Sequence, residues 1–235
     1  MSPIPELNIL YQDEELVAIN KPHGLLVHRS RIASDAQVFA LQLLRDQIGQ
    51  PVYPAHRLDR KTSGVLLFAK SKPTNAYLQS QFREQKVTKV YHALLRGFVP
   101  SEGHINYALK KEAKIQEAQT DYRCLVQYEL PLPFGKFPTS RYSLVELRPQ
   151  QGRYHQLRKH TAHIFHPIIG DRPHGCNKQN RLWKEHFQMD KMLLHAHSLS
   201  LRLPNEQLLD IEAPYSNTFS RVLTTLEQHI HQTFS

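Results

Sequence analysis

The sequence predicts a mixed α+β fold with a mostly antiparallel sheet. Two observations carry that expectation. Extended segments outnumber helical ones, and they do not alternate with helices as a doubly wound parallel sheet requires. The longest uninterrupted apolar run, Val65 to Ala69, is too short for a helix and follows the turn residues Thr62-Ser63-Gly64, so it reads as a central strand.

The elements follow in order. Asn8 to Asn20 gives short strands around an acidic turn at Gln12 to Glu15, with Leu16 to Ile19 as a buried strand. Lys21-Pro22-His23-Gly24 is a turn, and Leu25 to Val27 resumes extended structure. Apolar residues at 38, 41, 44 and 48 have helical spacing over Val38 to Ile48. Pro73 suits the first turn of a helix running to about Lys86, with Tyr77, Leu78 and Phe82 facing inward. Thr88 to Leu95 alternates as a strand, Ile105 to Leu109 more weakly, and Asp121 to Glu129 and Ser143 to Leu147 add two more. Tyr154 to Ile164 reads as a helix ended near Pro167, Leu193 to Leu203 as a late strand, and Asn217 to Ile230 as a terminal helix.

Composition narrows the function. The chain has 235 residues, 40% of them apolar, which is too much for a disordered chain. Two cysteines cannot build a disulfide framework, and no apolar run approaches a membrane span. No basic residue precedes Lys21 and no apolar segment follows Met1, so no secretory signal is expected and a cytoplasmic protein is. The formal charge of +9 is unevenly placed. Arg57 to Arg96 carries nine Lys and Arg against two acids, and Arg148 to Lys184 carries eight against Asp171 alone. The rest of the chain is net acidic. Two basic stretches in such a chain suit a polyanion surface, or else two solvated helix faces.

Three polar blocks could carry chemistry. In His56-Arg57-Leu58-Asp59-Arg60-Lys61-Thr62-Ser63-Gly64, the cations around Asp59 favour an ionised carboxylate, able to act as nucleophile or base. The same Asp could equally cap the turn that follows. In Gly152 to His160, Arg153, Arg158 and Lys159 could pair phosphates, one Arg could grip a carboxylate in two-pronged fashion, or all could form a wet basic face. In Thr88 to Leu94, Tyr91 could stack on a base, move a proton, or be plain core. Fifteen histidines raise a metal hypothesis, with His160, His163 and His166 three apart and His195 and His197 on one strand face. No H-E-x-x-H or C-x-x-C motif and no acid among these histidines supports it, so no metal is expected. Phosphate loops of the G-x-x-x-x-G-K-[ST] or G-x-G-x-x-G kind are absent.

Taken together, the blocks resemble the RluA-type pseudouridine synthases. His56-Arg57-Leu58-Asp59 with Thr62-Ser63-Gly64 is similar to that family's signature. Leu16 to His28 resembles its opening strands, Lys89 to Leu94 its second motif, and Gly152 to Arg158 with His166 to Asp171 its third. Leu194-His195-Ala196 resembles its late strand. Ile48-Gly49-Gln50, Phe137 to Tyr142 and Glu185-His186-Phe187 look like the TruC branch, the tRNA pseudouridine(65) synthases. The resemblance spans about residues 7–215 and implies one catalytic domain over 1–235, with a central catalytic cleft and no separate S4-type RNA-binding domain.

It also implies isomerisation of a tRNA uridine to its C-glycoside, without cofactor, membrane or obligate protein partner. Asp59 would be the essential carboxylate, Arg158 the Arg that orients it, and Tyr91 the Tyr that stacks on the uracil. Leu194 would pack under the base. Arg57 would fill the space left by the flipped uridine, with Arg60, Lys61, Arg153 and Lys159 on the RNA backbone. The three spaced histidines would be structural or face phosphates. Alternatives are a synthase acting on large-subunit ribosomal RNA, a non-catalytic RNA-binding module, and a His-rich metallohydrolase.

Overall fold

The acidic turn makes a hairpin. In the structure, a computed structural model that describes residues 6–28 and 38–234, it joins β1 (Ile9–Gln12) to β2 (Leu16–Lys21) in antiparallel pairing. The Asp13 carboxylate closes it by accepting from the amides of Glu15 and Leu16 at 2.8 and 2.7 Å. Helix α1 (Ala40–Ile48) buries Ala40, Leu43 and Leu44 and stops at Gly49, which takes the left-handed conformation that ends helices. After the short β3 (Tyr53–Pro54) comes β4 (Ser63–Ala69), buried at every residue and antiparallel to β2, with Gly64 opposite Lys21. Helix α2 (Lys72–Arg83) begins at Ser71, whose hydroxyl accepts from the Thr74 amide, and has Pro73 in its first turn.

The chain then passes through β5 (Thr88–Arg96) into a series of strands: β6 (Glu102–Asn106), the hairpin β7 (Leu109–Lys111) and β8 (Lys114–Gln116), and the long pair β9 (Gln119–Leu130) and β10 (Ser140–Pro149). Helices α3 (Gln156–His163) and α4 (Asn177–Phe187) precede β11 (Leu194–Arg202) and β12 (Leu208–Glu212). Helix α5 (Asn217–Leu226), one 3-10 turn and β13 (Ile230–Thr233) complete the described chain.

Two compact units result: Met1–Lys89 with Ala196–Ser216, and Val90–His195 with Asn217–Ser235. Strands β5 and β11 each carry the chain from one unit into the other. In the first unit the strand order is β1-β2-β4-β11, with β3 on β4 and β12 on β11. Its core joins Leu16, Ala18, Val65, Leu67 and Leu78 to Leu199, Leu201 and Ile211. In the second the order is β5-β10-β9-β13, with β6 on β9. That core unites Ala93, Leu95, Val145, Leu147, Leu157, Ile168 and Leu194. The named pairings are antiparallel, as the sequence led us to expect.

The structure corrects several local expectations. The helix placed at Asn217 to Ile230 ends at Leu226, and Ile230–Thr233 is instead a strand along β9. The amphipathic stripe explains the stop: Phe219, Val222 and Leu226 are buried, whereas Ile230 is half exposed and covers a strand edge that would otherwise leave its backbone unpaired. The expected start of α3 at Tyr154 is two residues early, because His155 sits at φ 56° and caps the helix from the left-handed region. Ile105 to Leu109 is two strands, not one. Helix α4 and strand β12 had no counterpart in the sequence reading. Among the described residues no helix is long and apolar enough to cross a membrane.

Candidate active site

The first unit carries the Asp59 loop. Thr62 donates its amide to the Asp59 carbonyl at 3.0 Å, which closes a tight turn just before β4. Gly64 follows at φ 108°, and a Cβ there would lie 2.1 Å from the Ala196 carbonyl oxygen. The glycine of the T-S-G triplet is therefore fixed by a backbone approach from β11 that no side chain allows. Asp59 itself is half-buried, while Arg57 and Arg60 are exposed. Arg60 donates from Nε to the Gly24 carbonyl at 3.1 Å, and Gly24 returns its amide to the Arg60 carbonyl at 2.7 Å. The turn after β2 and the Asp59 loop are thereby laced together.

Lys21 lies beneath this lacing with its side chain fully buried. Its Nζ donates to the carbonyls of Pro22 at 3.0 Å, Leu25 at 2.8 Å and Arg60 at 3.3 Å. Burial pulls its pKa down to about 7, and the negative charge of Asp59 acts in the opposite sense, favouring the ammonium. His56 has a different role from its motif neighbour. Its Nε2 accepts the Leu67 amide at 3.1 Å, and its ring stacks on Phe82 at 4.8 Å. Burial, with the Lys89 charge adding to it, pushes His56 down to about 3, so the ring is neutral and locked as an acceptor. His56 orders the strand and is no proton carrier at neutral pH.

The second unit carries Tyr91, Arg158 and Leu194. Tyr91 stands on β5 opposite Leu147 of β10 and packs, half-buried, on the cluster that contains Leu157 and Leu194. Arg158, one residue beyond Leu157 on α3, is almost wholly buried. Its Nε and Nη2 donate to the two carboxylate oxygens of Asp171, each at 2.8 Å, with side-chain exposures of 5% and 1% for the pair. This is the two-pronged geometry that a guanidinium fork provides and an ammonium does not. Asp171 is held in turn: its backbone carbonyl accepts from Asn180 Nδ2 at 2.8 Å, and Asn180 Oδ1 accepts the Gly170 amide at 2.8 Å.

Arg153 donates from Nε to the Glu117 carbonyl at 3.0 Å, and Lys159 lies 5.6 Å from the centre of the exposed Tyr154 ring. Lys61 is half-buried in the Asp59 turn. The three spaced histidines diverge into local roles. His160 is buried between the Thr120 hydroxyl and the Tyr107 carbonyl, His163 stacks on Tyr107 at 3.7 Å, and His166 bonds the Arg96 carbonyl at 2.8 Å. Among the described residues no three His, Cys, Asp or Glu side chains are grouped so as to hold a metal.

Lys21 and Asp171 lie inside the motifs, yet their contacts emerge only in the structure. A signal existed for Asp171, as the sole acid among the eight cations of its stretch. Lys21 had a weaker one, a lysine closing the strand whose first four residues, Leu16 to Ile19, are apolar.

Comparison with known proteins supplies the family. A family model for RNA pseudouridylate synthase matches residues 15–163. The chain is 46% identical to tRNA pseudouridine synthase C of Vibrio parahaemolyticus over 97% of both chains. It is 48% identical to the protein of the same name from Salmonella typhi, over 93% of this chain and 89% of that one. Human RNA pseudouridylate synthase domain containing 1 shares the fold, with a TM-score of 0.77 over 100% of this chain and 94% of that one at 23% identity. Human RNA pseudouridylate synthase domain containing 4 gives 0.73 over 97% and 95% at 26% identity. Since the family model spans both units and close relatives match nearly end to end, the chain belongs to the RluA-type RNA pseudouridylate synthases, and it is an enzyme of that isomerase class.

Proposed function

We propose that this protein converts a uridine of tRNA, that at position 65, to pseudouridine, in the cytoplasm where its substrate resides. The observation that supports this best is near end-to-end similarity to proteins named tRNA pseudouridine synthase C, with the His56-Arg57-Leu58-Asp59 block intact. The family match crosses the unit boundary at Lys89, so we read the two units as one catalytic domain.

In this reading Asp59 starts cleavage of the bond between C1′ and N1. The uracil is retained, turned, and rejoined to C1′ through C5; the proton lost from C5 is balanced by one taken up at N1. The product is an isomer, so neither water nor a cofactor enters the balance. A second carboxylate to activate water, as in glycosidases, has no task here. Arg158 keeps the Asp59 carboxylate charged and oriented during the reaction, and the bidentate bond to Asp171 fixes the guanidinium for that purpose. Tyr91 stacks on the uracil and assists departure of the C5 proton, with Leu194 under the base. The uridine must leave its stem first, at a cost of a few kcal/mol, and Arg57 takes the vacated place. Arg60, Lys61, Arg153 and Lys159 contact the backbone.

The test is to incubate purified protein with unmodified tRNA and map pseudouridine by nucleotide. Pseudouridine at position 65 supports the reading. Modification of ribosomal RNA in place of tRNA overturns the substrate assignment.

A further inference from the structure

Helix α4 falls between the third motif and the late strand, and the roles assigned above do not use it. One side of it lines an open cavity of about 790 Å³ within the second unit. Arg172, Arg181 and Lys184 stand around this cavity together with the acids Glu185 and Asp190. All five are exposed. Arg181 and Glu185 are spaced for an i,i+4 ion pair, the usual way in which a solvated helix face quiets its charges. No such pair forms. Among the described residues none of the three cations has an ion-pair or hydrogen-bond partner.

The helix beneath them is firmly seated. Trp183 is fully buried, and Asn180 links α4 to the Gly170 amide and the Asp171 carbonyl. Gly170 is itself fixed, at φ 82° with the Lys191 carbonyl 2.1 Å from where a Cβ would stand. The cavity wall at Gly170 is therefore continuous with Asp171, the residue that grips Arg158.

From this arrangement we propose that Arg172, Arg181 and Lys184 form a groove for the phosphate backbone of the tRNA. The proposal rests on the tRNA reading above and extends it to a surface outside the catalytic motifs. A polyanion suits the groove because the cations are unpaired and line one cavity, Arg181 and Lys184 from the seated helix α4 and Arg172 from the segment before it. Phosphates recognised there displace counterions, so each cation lost flattens the salt dependence of binding by about one unit.

The experiment measures the dissociation constant for tRNA at 50 and 200 mM salt in wild type and in the Arg181→Gln/Lys184→Gln double variant. With two phosphate contacts removed, the weakening between these salts is about tenfold smaller in the variant than in wild type. Equal weakening in both proteins overturns the groove. Glu185→Gln gives the opposite sign: removing an acid from the same cavity tightens tRNA binding, and weaker or unaltered binding counts against the proposal. A wild type that forms no pseudouridine in tRNA would defeat the substrate reading by a separate measurement, so the two failures are distinguishable.

Discussion

Lys21 makes the stability of this fold depend on pH in a direction that can be worked out. A lysine in an unfolded chain titrates near 10.5, whereas burial brings Lys21 in the folded protein to about 7. Between those values the unfolded chain binds a proton that the folded one has released, so stability rises with pH across that window. Below about 7 both states are protonated and the full penalty of burying the charge is present. Above 10.5 both are neutral and it is gone. Integrating from pH 7 to pH 9, with the lysine half-protonated at the start, gives a gain of about 2 kcal/mol. Lys21→Met removes this titration, along with the three bonds to the Pro22, Leu25 and Arg60 carbonyls. Urea unfolding of both proteins at pH 7 and pH 9 isolates the effect, since all other titrating groups are common to the pair. Wild type should gain about 2 kcal/mol more than Lys21→Met over that interval. Identical gains would refute the buried, partly neutral lysine. Asp59→Asn offers a check on the coupling: with the carboxylate gone, Lys21 should lose its proton more readily and the window should open below pH 7.

Three further outcomes follow from the same geometry. Arg158→Lys keeps the charge but loses the two-pronged bond, and single-turnover rates should fall by orders of magnitude; rates equal to wild type would leave Arg158 a purely structural partner of Asp171. Asp171→Asn takes away the charge that the buried Arg158 fork grips and should destabilise by about 3–5 kcal/mol in denaturant unfolding, a cost that an exposed pair would not show. Gly64→Ala drives a methyl against the Ala196 carbonyl at a backbone angle unsuited to alanine, and should cost on the order of 4 kcal/mol or abolish soluble expression.

The longer strands and helices α1, α2, α3 and α5 were legible because their signals are local. Ser71 with Pro73 announces α2, and the apolar run at Val65 announces β4. Helix α4 escaped because its buried residues, Gln179 and Trp183, are too few to make an apolar stripe in a segment of Asn, Lys, Gln and Arg. Strand β13 escaped because its pairing with β9 is set by tertiary contact across a hundred residues of chain, which no local period encodes. The Asp59 block stood out from its residue types as a dense polar stretch, whereas the contacts of Lys21 and Asp171 did not show there. Lys21 matters through three carbonyls, one of them at Arg60, and Asp171 through a helix thirteen residues earlier. Such pairings depend on how the chain folds back, so they become visible only in three dimensions.

If Asp59 drives isomerisation of a tRNA uridine, release of tritium from C5 depends on its carboxylate. tRNA carrying tritium at C5 of uridine loses the label to water when C5 becomes the glycosidic carbon. Purified wild type should release the label from the target uridine, while Asp59→Asn binds the same tRNA and releases none. Release by Asp59→Asn at a rate near wild type would contradict the assignment.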